Sequence, residues 1–162
     1  MPENPIVVSN TTPIYYLHAI GRLELLQHLY GRLIVPVHVV AELDAGADEG
    51  APNVRAVSWM DIRPVRVPEA LRLVPDLGGG EAGAMALAME LGQDTLVILD
   101  DKLGRRIAGL QGIRITGTAG VLLKAKRQGL VPSVGPMLDA MLRAGFHLSQ
   151  RVVRDTLALA GE

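Results

Sequence analysis

A chain of 162 residues that is 49% hydrophobic is long enough to bury its own core, which excludes a disordered protein and predicts one domain over residues 1–162. It contains no cysteine, which excludes disulfides, thiolate metal sites and cysteine nucleophiles. No apolar stretch approaches the roughly 20 residues of a membrane helix, and the N-terminus lacks a basic segment followed by an apolar run. From the lack of cysteine, of a membrane helix and of a signal-like N-terminus, we expect a soluble, cytoplasmic protein.

The charge of the chain is balanced overall but uneven locally. The net charge is -1, yet residues 102–127 contain seven basic residues and no acidic one. The basic residues are Lys102, Arg105, Arg106, Arg114, Lys124, Lys126 and Arg127. Such a block could contact phosphates or could be an ordinary solvated surface, and the sequence leaves both interpretations open.

The first half of the chain alternates strand and helix patterns. Thr12 is predicted to cap the first helix, with Pro13 at its first position. Strands are predicted at IVVS (6–9), LIV (33–35) and, as an edge strand interrupted by proline, DIRPVRV (61–67). Helices are predicted up to Gly21, at LELLQHLY (23–30) and in VHVVAELDAG (37–46). The Pro-rich and charged segment 44–75 is the least readable part.

The second half continues the alternation more clearly. Strands are predicted at TLVIL (95–99) and IRIT (113–116). Helices are predicted at EAGAMALAMEL (81–91), KLGRRIAGL (102–110) and AGVLLKAKRQ (119–128), with two C-terminal helices from about residue 133. This alternation predicts an α/β fold, a central parallel sheet of about four to five strands with helices on both faces.

In such a sheet the ligand site lies beyond the carboxyl ends of the strands. Polar residues follow three of the predicted strands: Asn10, Thr11 and Thr12, then Asp100 and Asp101, then Thr116, Gly117 and Thr118. If the first strand is central, the first two groups are neighbours. We therefore expect the functional site among them.

Four acidic residues are candidates for this site, although each has a simpler explanation. One member of the Asp100–Asp101 pair could cap a helix, Glu81 suits a helix N-terminus, and Glu42 could be a solvated helix residue. Adjacent carboxylates nevertheless repel unless a cation or hydrogen-bond donors compensate. Four carboxylates and one amide form an oxygen-only site of the kind that binds Mg²⁺ or Mn²⁺.

Three motifs carry a family resemblance. They are GEAGAMALA (80–88), DDKLGRR (100–106) and GTAGVLLKAKRQGLVP (117–132). In their order and spacing the chain resembles PIN-domain proteins from about Pro5 to about Ser149. These are small metal-dependent ribonucleases that include the VapC-type toxins of bacterial and archaeal toxin–antitoxin pairs, and the motifs are similar to one branch of PIN-like proteins.

The resemblance implies roles for particular residues. The four acidic positions of the family fall on Asn10, Glu42, Glu81 and Asp101, with Asp100 beside the last. It implies Mg²⁺ or Mn²⁺ held by Glu42, Glu81, Asp100 and Asp101, with Asn10 as a neutral ligand or substrate contact. It further implies that Thr11 and Thr118 orient ligands or the attacking water. RNA phosphates would be contacted by Lys102, Arg105, Arg106 and Lys124.

Two residues depart from the family pattern. Asn10 stands where the family has its first acid, so a carbonyl oxygen remains for a cation but one negative charge is lost. Glu81 is about one methylene longer than the aspartate usual at the third position. The expected function is a metal-dependent ribonuclease, a toxin that forms a homodimer and has a cognate antitoxin. The alternative is a non-catalytic module that binds RNA or a protein partner.

Other classes of site have little support in the sequence. His38 and Glu42 are four residues apart on one predicted helix, and we interpret them as a partly exposed structural pair. No HExxH or cysteine–histidine cluster indicates zinc, and LGGGE (77–81) lacks the Lys-Ser/Thr ending of a phosphate loop. A receiver domain is disfavoured because the acidic pair follows a late strand.

Overall fold

The computed structural model describes residues 5–162, and its centre is a parallel sheet of five strands. The strands are β1 Ile6–Ser9, β2 Leu33–Pro36, β3 Met60–Arg63, β4 Thr95–Ile98 and β5 Arg114–Thr116. Their order across the sheet is β3-β2-β1-β4-β5. The predicted α/β fold is confirmed, and β3 is an edge strand as predicted. The predicted bounds 61–67 were wrong, because β3 ends at Arg63 and Pro64 has no N–H with which to continue the pairing.

Helices connect these strands and cover both faces of the sheet. They are α1 Thr11–Ala19, α2 Glu24–Tyr30, α3 Val37–Ala45, α4 Glu69–Arg72, α5 Gly79–Leu91, α6 Lys102–Leu110, α7 Thr118–Arg127, α8 Gly135–Arg143 and α9 Gln150–Leu159. Two short 3-10 turns, Ala47–Glu49 and Val54–Ala56, lie between α3 and β3. None of the helices in residues 5–162 is long and apolar enough to cross a membrane.

Two predicted helix starts were wrong. The first helix begins at Thr11 with Asn10 as its N-cap, so Thr12 lies inside the helix rather than capping it. The helix predicted from Glu81 begins at Gly79, because the backbone of two glycines joins the first turn. Both corrections move polar groups of the candidate site into first turns of helices.

The alternation of side chains along the strands divides the core between the two faces of the sheet. Val7 points into a cluster with α1, α2, α3, α7 and α8, where Ile14, Leu26 and Leu122 are fully buried. Val8 points to the other face, where α5 supplies Ala84, Met85 and Leu87. Apolar side chains on both faces explain why the central strands read as continuous hydrophobic runs.

The central position of β1 determines where Asn10 lies. β1 pairs with β4 along its whole length, from Ile6 opposite Thr95 to Ser9 opposite Ile98, and Val8 is opposite Ile34 of β2. The Asn10 backbone N–H extends this pairing by donating to the Ile98 carbonyl at 3.0 Å. The carboxyl ends of β1 and β4 are therefore neighbours, and the residues that follow them share one crevice.

Candidate functional site

Asn10 lies at the bottom of this crevice. Its side chain is 1% exposed. The Nδ2 group donates a hydrogen bond to Glu81 Oε1 at 3.3 Å. The carbonyl oxygen Oδ1 has no hydrogen-bond partner among residues 5–162. A buried carbonyl oxygen without a donor is costly in a folded protein, so it indicates a place where another positive or donating group fits.

Glu42 reaches the same crevice from α3. Its Oε1 accepts a hydrogen bond from the Gly80 backbone N–H at 2.7 Å, and its Oε2 accepts one from the Thr11 hydroxyl. These donors belong to the first turns of α5 and α1, where backbone N–H groups and the helix dipole favour negative charge. Glu42 is therefore a carboxylate held in a fixed orientation by two helices.

Gly80 allows the Asn10 and Glu42 oxygens to approach each other. A Cβ atom placed on Gly80 would lie 2.6 Å from Glu42 Oε2 and 2.8 Å from Asn10 Oδ1. Two acceptor oxygens thus border one small space beside the Gly80 α-carbon. The sequence signal for this role is the glycine run LGGGE, which lacks the ending of a phosphate loop but whose backbone lines this site.

Glu81 lies on the other side of Asn10. Its side chain bends back over Gly78, at the start of α5. Burial is the main cause that raises the pKa of Glu81, and the negative charges of Glu42 and Asp101 raise it further. Hydrogen bonds from its own backbone N–H and from Asn10 oppose this shift. The carboxylates of Glu42 and Asp101 therefore lie near enough to Glu81 to disfavour its charged form, although burial is the larger cause.

Asp101 lies at the exposed edge of the crevice and caps α6. Its Oδ2 accepts a hydrogen bond from the Gly104 backbone N–H at 2.7 Å. A Cβ on Gly104 would lie 3.4 Å from that oxygen and 3.4 Å from Glu81 Cγ, so the two acidic side chains face the same glycine. Its second carboxylate oxygen makes no hydrogen bond within the described part of the chain.

Asp100 is turned away from its neighbour towards α7. Its Oδ1 accepts the Thr118 backbone N–H at 2.8 Å, and its Oδ2 accepts the Thr118 hydroxyl. Arg105 lies close by, since a Cβ on Gly117 would be 2.7 Å from Arg105 Nη1 and 2.9 Å from Asp100 Oδ1. Burial raises the pKa of Asp100, against the lowering effect of Thr118 and of the Arg105 charge. The structure therefore places Asp100 in direct contact with Thr118.

The basic residues separate into two groups. Lys102, Arg105 and Arg106 are exposed on α6, which begins at the crevice. Lys124 lies in the last turn of α7, with its Nζ 4.4 Å from the centre of the Tyr30 ring. Since Tyr30 precedes β2, this contact lies at the amino ends of the strands. The structure brings the α6 group to the site and does not bring Lys124 there.

His38 packs between α3 and α5, one turn from Glu42. Its Nδ1 is buried without a partner among the described residues, and a Cβ on Gly83 would lie 2.9 Å from it. Gly80 and Gly83 thus let α5 pack closely against the α3 face that carries Glu42 and His38. The hydrogen bonds of Glu42 go to Thr11 and Gly80, so the interpretation of His38 and Glu42 as a structural pair stays a prediction.

The oxygens of the crevice suit a hard divalent cation. Within residues 5–162, no three His, Asp or Glu side chains converge closely enough to hold a metal ion by themselves. The oxygen atoms that border the crevice belong to the unpartnered Asn10 carbonyl, Glu42 and Glu81, and Asp101 lies at its edge. Carboxylate and amide oxygens are the ligands that Mg²⁺ and Mn²⁺ prefer, so the residues present fit such an ion.

The fold and the site together define a class of protein: a parallel α/β domain with acidic side chains and an amide gathered at the carboxyl ends of its central strands. The PIN-domain family model matches residues 6–162, and the chain therefore belongs to the PIN-domain family. PIN domains have a nuclease fold and generally use divalent metal ions. No curated protein shows significant similarity to the chain.

Proposed function

We propose that the chain is an Mg²⁺- or Mn²⁺-dependent endoribonuclease that hydrolyses RNA phosphodiester bonds, acting as the toxin of a toxin–antitoxin pair. The observation that carries the proposal is the buried Asn10 carbonyl without a donor, next to the oriented carboxylate of Glu42. Membership of a family of nucleases supports the reaction class.

The proposed ligands are Glu42 and Glu81 with the Asn10 carbonyl oxygen, and Asp101 at the edge of the crevice would complete the set by turning its second oxygen inward. A divalent ion bound there would lower the pKa of a water molecule and offset charge on the phosphate. The chain's own contribution is orientation, because the Thr11 hydroxyl and Gly80 N–H fix Glu42 while the Asn10 amide fixes Glu81. Lys102, Arg105 and Arg106 would contact the phosphates of the RNA at the mouth of the crevice.

Cleavage of a mixed-sequence single-stranded RNA tests the proposal. The assay compares Mn²⁺, Mg²⁺ and EDTA, with Asp101→Asn as the site variant, because asparagine caps a helix as well as aspartate does and so keeps the α6 cap. Asp139→Asn, on the exposed side of α8, is a matched control. Metal-dependent cleavage that is lost in Asp101→Asn and kept in Asp139→Asn supports the nuclease.

A second function is favoured by one observation, the neutral side chain at position 10. Loss of one charge from the ligand set weakens cation binding, and a weakly bound cation would leave a module that binds RNA or a protein without cutting. Asn10→Asp decides between the two. An inactive wild type that gains metal-dependent cleavage on this substitution identifies the binding module.

The assembly of the protein is also a proposal. Resemblance to VapC-type toxins supports a homodimer and a cognate antitoxin. Light scattering of the purified chain measures the first, and co-purification with the product of the neighbouring gene measures the second. A monomer at micromolar concentration that also purifies without a partner would contradict both.

A further inference from the structure

The acidic pair at the end of β4 is divided between two helices. Asp101 caps α6 through the Gly104 N–H, whereas Asp100 binds the first residue of α7 through both of its oxygens. Thr118 is fully buried, and its N–H and hydroxyl both point at the Asp100 carboxylate. Two adjacent aspartates thus fix the starts of two different helices to the same strand.

The Asp100 carboxylate is directed at α7 and not into the crevice. Both of its oxygens accept hydrogen bonds from Thr118, and the Arg105 guanidinium lies beside the same carboxylate, next to the Gly117 α-carbon. The situation of Asn10 is the opposite, since its buried carbonyl has no donor among the described residues. Asp100 therefore faces hydrogen-bond donors of α7, whereas the Asn10 carbonyl faces the crevice without a donor among the described residues.

We propose that Asp100 and Thr118 form a clamp that positions Asp101, and that Asp100 is a positioning residue rather than a metal ligand. Asp100 precedes Asp101 in the chain, so fixing the Asp100 carboxylate to α7 fixes the backbone from which Asp101 reaches towards Glu81. The inference deepens the proposed function and rests on it for the identity of the metal site.

The test uses conservative and disruptive variants of both partners of the clamp. Asp100→Ala removes both acceptors, while Asp100→Asn keeps a carbonyl for the Thr118 N–H and an amide for its oxygen. Thr118→Val removes the hydroxyl at nearly constant shape, while Thr118→Ser keeps it. Each variant and the double variant Asp100→Ala/Thr118→Val are measured by thermal unfolding in EDTA and by calorimetric titration with Mn²⁺.

A clamp predicts one pattern across these variants. Asp100→Ala and Thr118→Val each lower the Tm in EDTA by several degrees and weaken Mn²⁺ binding about tenfold, as loss of residues that orient metal ligands commonly does. The double variant is no worse than the more damaging single variant, because both changes break one contact. Asp100→Asn and Thr118→Ser stay within about threefold of wild type in Mn²⁺ affinity.

Two other patterns overturn the inference. If Asp100 is a ligand, Asp100→Asn loses at least about tenfold in Mn²⁺ affinity because a charged ligand oxygen becomes neutral, while Thr118→Val keeps its affinity. The Tm of Asp100→Asn in EDTA then rises, because a repelling charge is gone. If the contact stabilises the fold but positions nothing, the Tm falls in both disruptive variants and every variant binds Mn²⁺ like wild type.

A failure of the proposed function can be told apart from a failure of the clamp. If the proposed function is wrong, the wild-type protein gives no heat of binding on titration with Mn²⁺ and does not cleave RNA, and the metal site is refuted. Thermal unfolding in EDTA still tests the clamp. If the Tm losses of Asp100→Ala and Thr118→Val add up in the double variant, the two effects are independent and the clamp is refuted.

Discussion

Asn10 combines two functions that an aspartate at its position would separate. Its amide donates to Glu81, and its carbonyl faces the space next to Glu42. An aspartate would keep an acceptor for a cation but would lose the donor and add a charge beside two carboxylates. The neutral side chain therefore favours the metal-free fold, while an acid would favour the metal-bound one.

This balance predicts the effect of Asn10→Asp. The Tm in EDTA should fall, because Glu81 loses a hydrogen bond and gains a like charge beside it. We expect the free energy of unfolding to decrease by about 1–3 kcal/mol. The increase in Tm on adding Mn²⁺ should be larger than in wild type. Asn53→Asp is the control, since Asn53 caps an exposed turn through an oxygen that aspartate retains. An equal Mn²⁺ increment in Asn10→Asp and wild type would contradict this account.

Gly80 is required by the close approach of oxygens rather than by its backbone angles. Gly80→Ala would place a Cβ within 2.9 Å of three oxygens of Glu42 and Asn10, so these side chains must move apart. We expect a loss of about 1–3 kcal/mol in the free energy of unfolding, together with loss of Mn²⁺ binding.

The matched control for Gly80→Ala is Gly109→Ala in the last turn of α6. A Cβ there meets nothing within 4 Å, so this variant should gain about 0.5–1 kcal/mol from the higher helix propensity of alanine. Denaturant unfolding measures both free energies. If Gly80→Ala were as stable as Gly109→Ala and bound Mn²⁺, the described crowding at the site would be refuted.

At the scale of elements, α9 is held partly by a polar contact at its end. The Glu162 carboxylate accepts the backbone N–H groups of Val134 at 2.8 Å and Gly135 at 3.0 Å, where α8 begins. It also accepts the Lys126 ammonium of α7 at 2.9 Å. Backbone hydrogen bonds, with a smaller effect of Lys126, lower the pKa of Glu162 from 4.5 to about 2. One carboxylate thus links three helices.

The lowered pKa fixes the direction of a pH dependence. Because the folded-state pKa lies below the ordinary value, the stabilising effect of Glu162 is present above about pH 4.5 and is lost as the pH falls towards about 2. Glu162→Gln should therefore speed amide hydrogen exchange in α9 at pH 6, and the difference from wild type should shrink as the pH falls below 4.5. The control is Glu90→Gln, which is exposed on α5. A difference that does not change with pH would exclude the charged contact as its cause.

The whole molecule separates the basic residues that the sequence groups together. α7 starts at the carboxyl end of the sheet and runs back along it, so Lys124 lies about 9 Å along the helix from Thr118. Its Nζ is engaged with the Tyr30 ring at the other end of the strands. Of the four residues predicted to contact RNA, only the three on α6 lie at the end of the sheet that carries the acidic crevice. They are Lys102, Arg105 and Arg106.

This separation predicts different effects on RNA binding. Arg106→Ala should weaken binding of single-stranded RNA and reduce the slope of log K against log salt by about 0.7, the value of one phosphate contact. Lys124→Ala should leave the affinity and the slope near wild type, which makes it the matched control. Fluorescence anisotropy over a series of salt concentrations measures both. Equal losses in the two variants would refute an RNA path confined to the α6 end.

Much of the fold follows from local sequence patterns. The strand and helix alternation, the edge position of β3 and the gathering of Asn10 and the β4 aspartates at one end of a parallel sheet were all predicted. These features depend on hydrophobic periodicity and on turn residues, which act over a few residues. The first turns of α1 and α5 were misplaced because neither N-cap residue, Asn10 or Gly78, makes a side-chain capping hydrogen bond, so no local capping pattern marks where these helices begin.

The sequence by itself determined the class of fold, the residue types available to the site and the order in which strands deliver them. The tertiary structure decided which of those residues touch. Asp100 meets Thr118 although 18 residues separate them, Gly80 admits the Asn10 and Glu42 oxygens, and Lys124 turns to Tyr30. Such pairings depend on how helices pack against the sheet, because a side chain selects its partner by distance in space and not by distance along the chain.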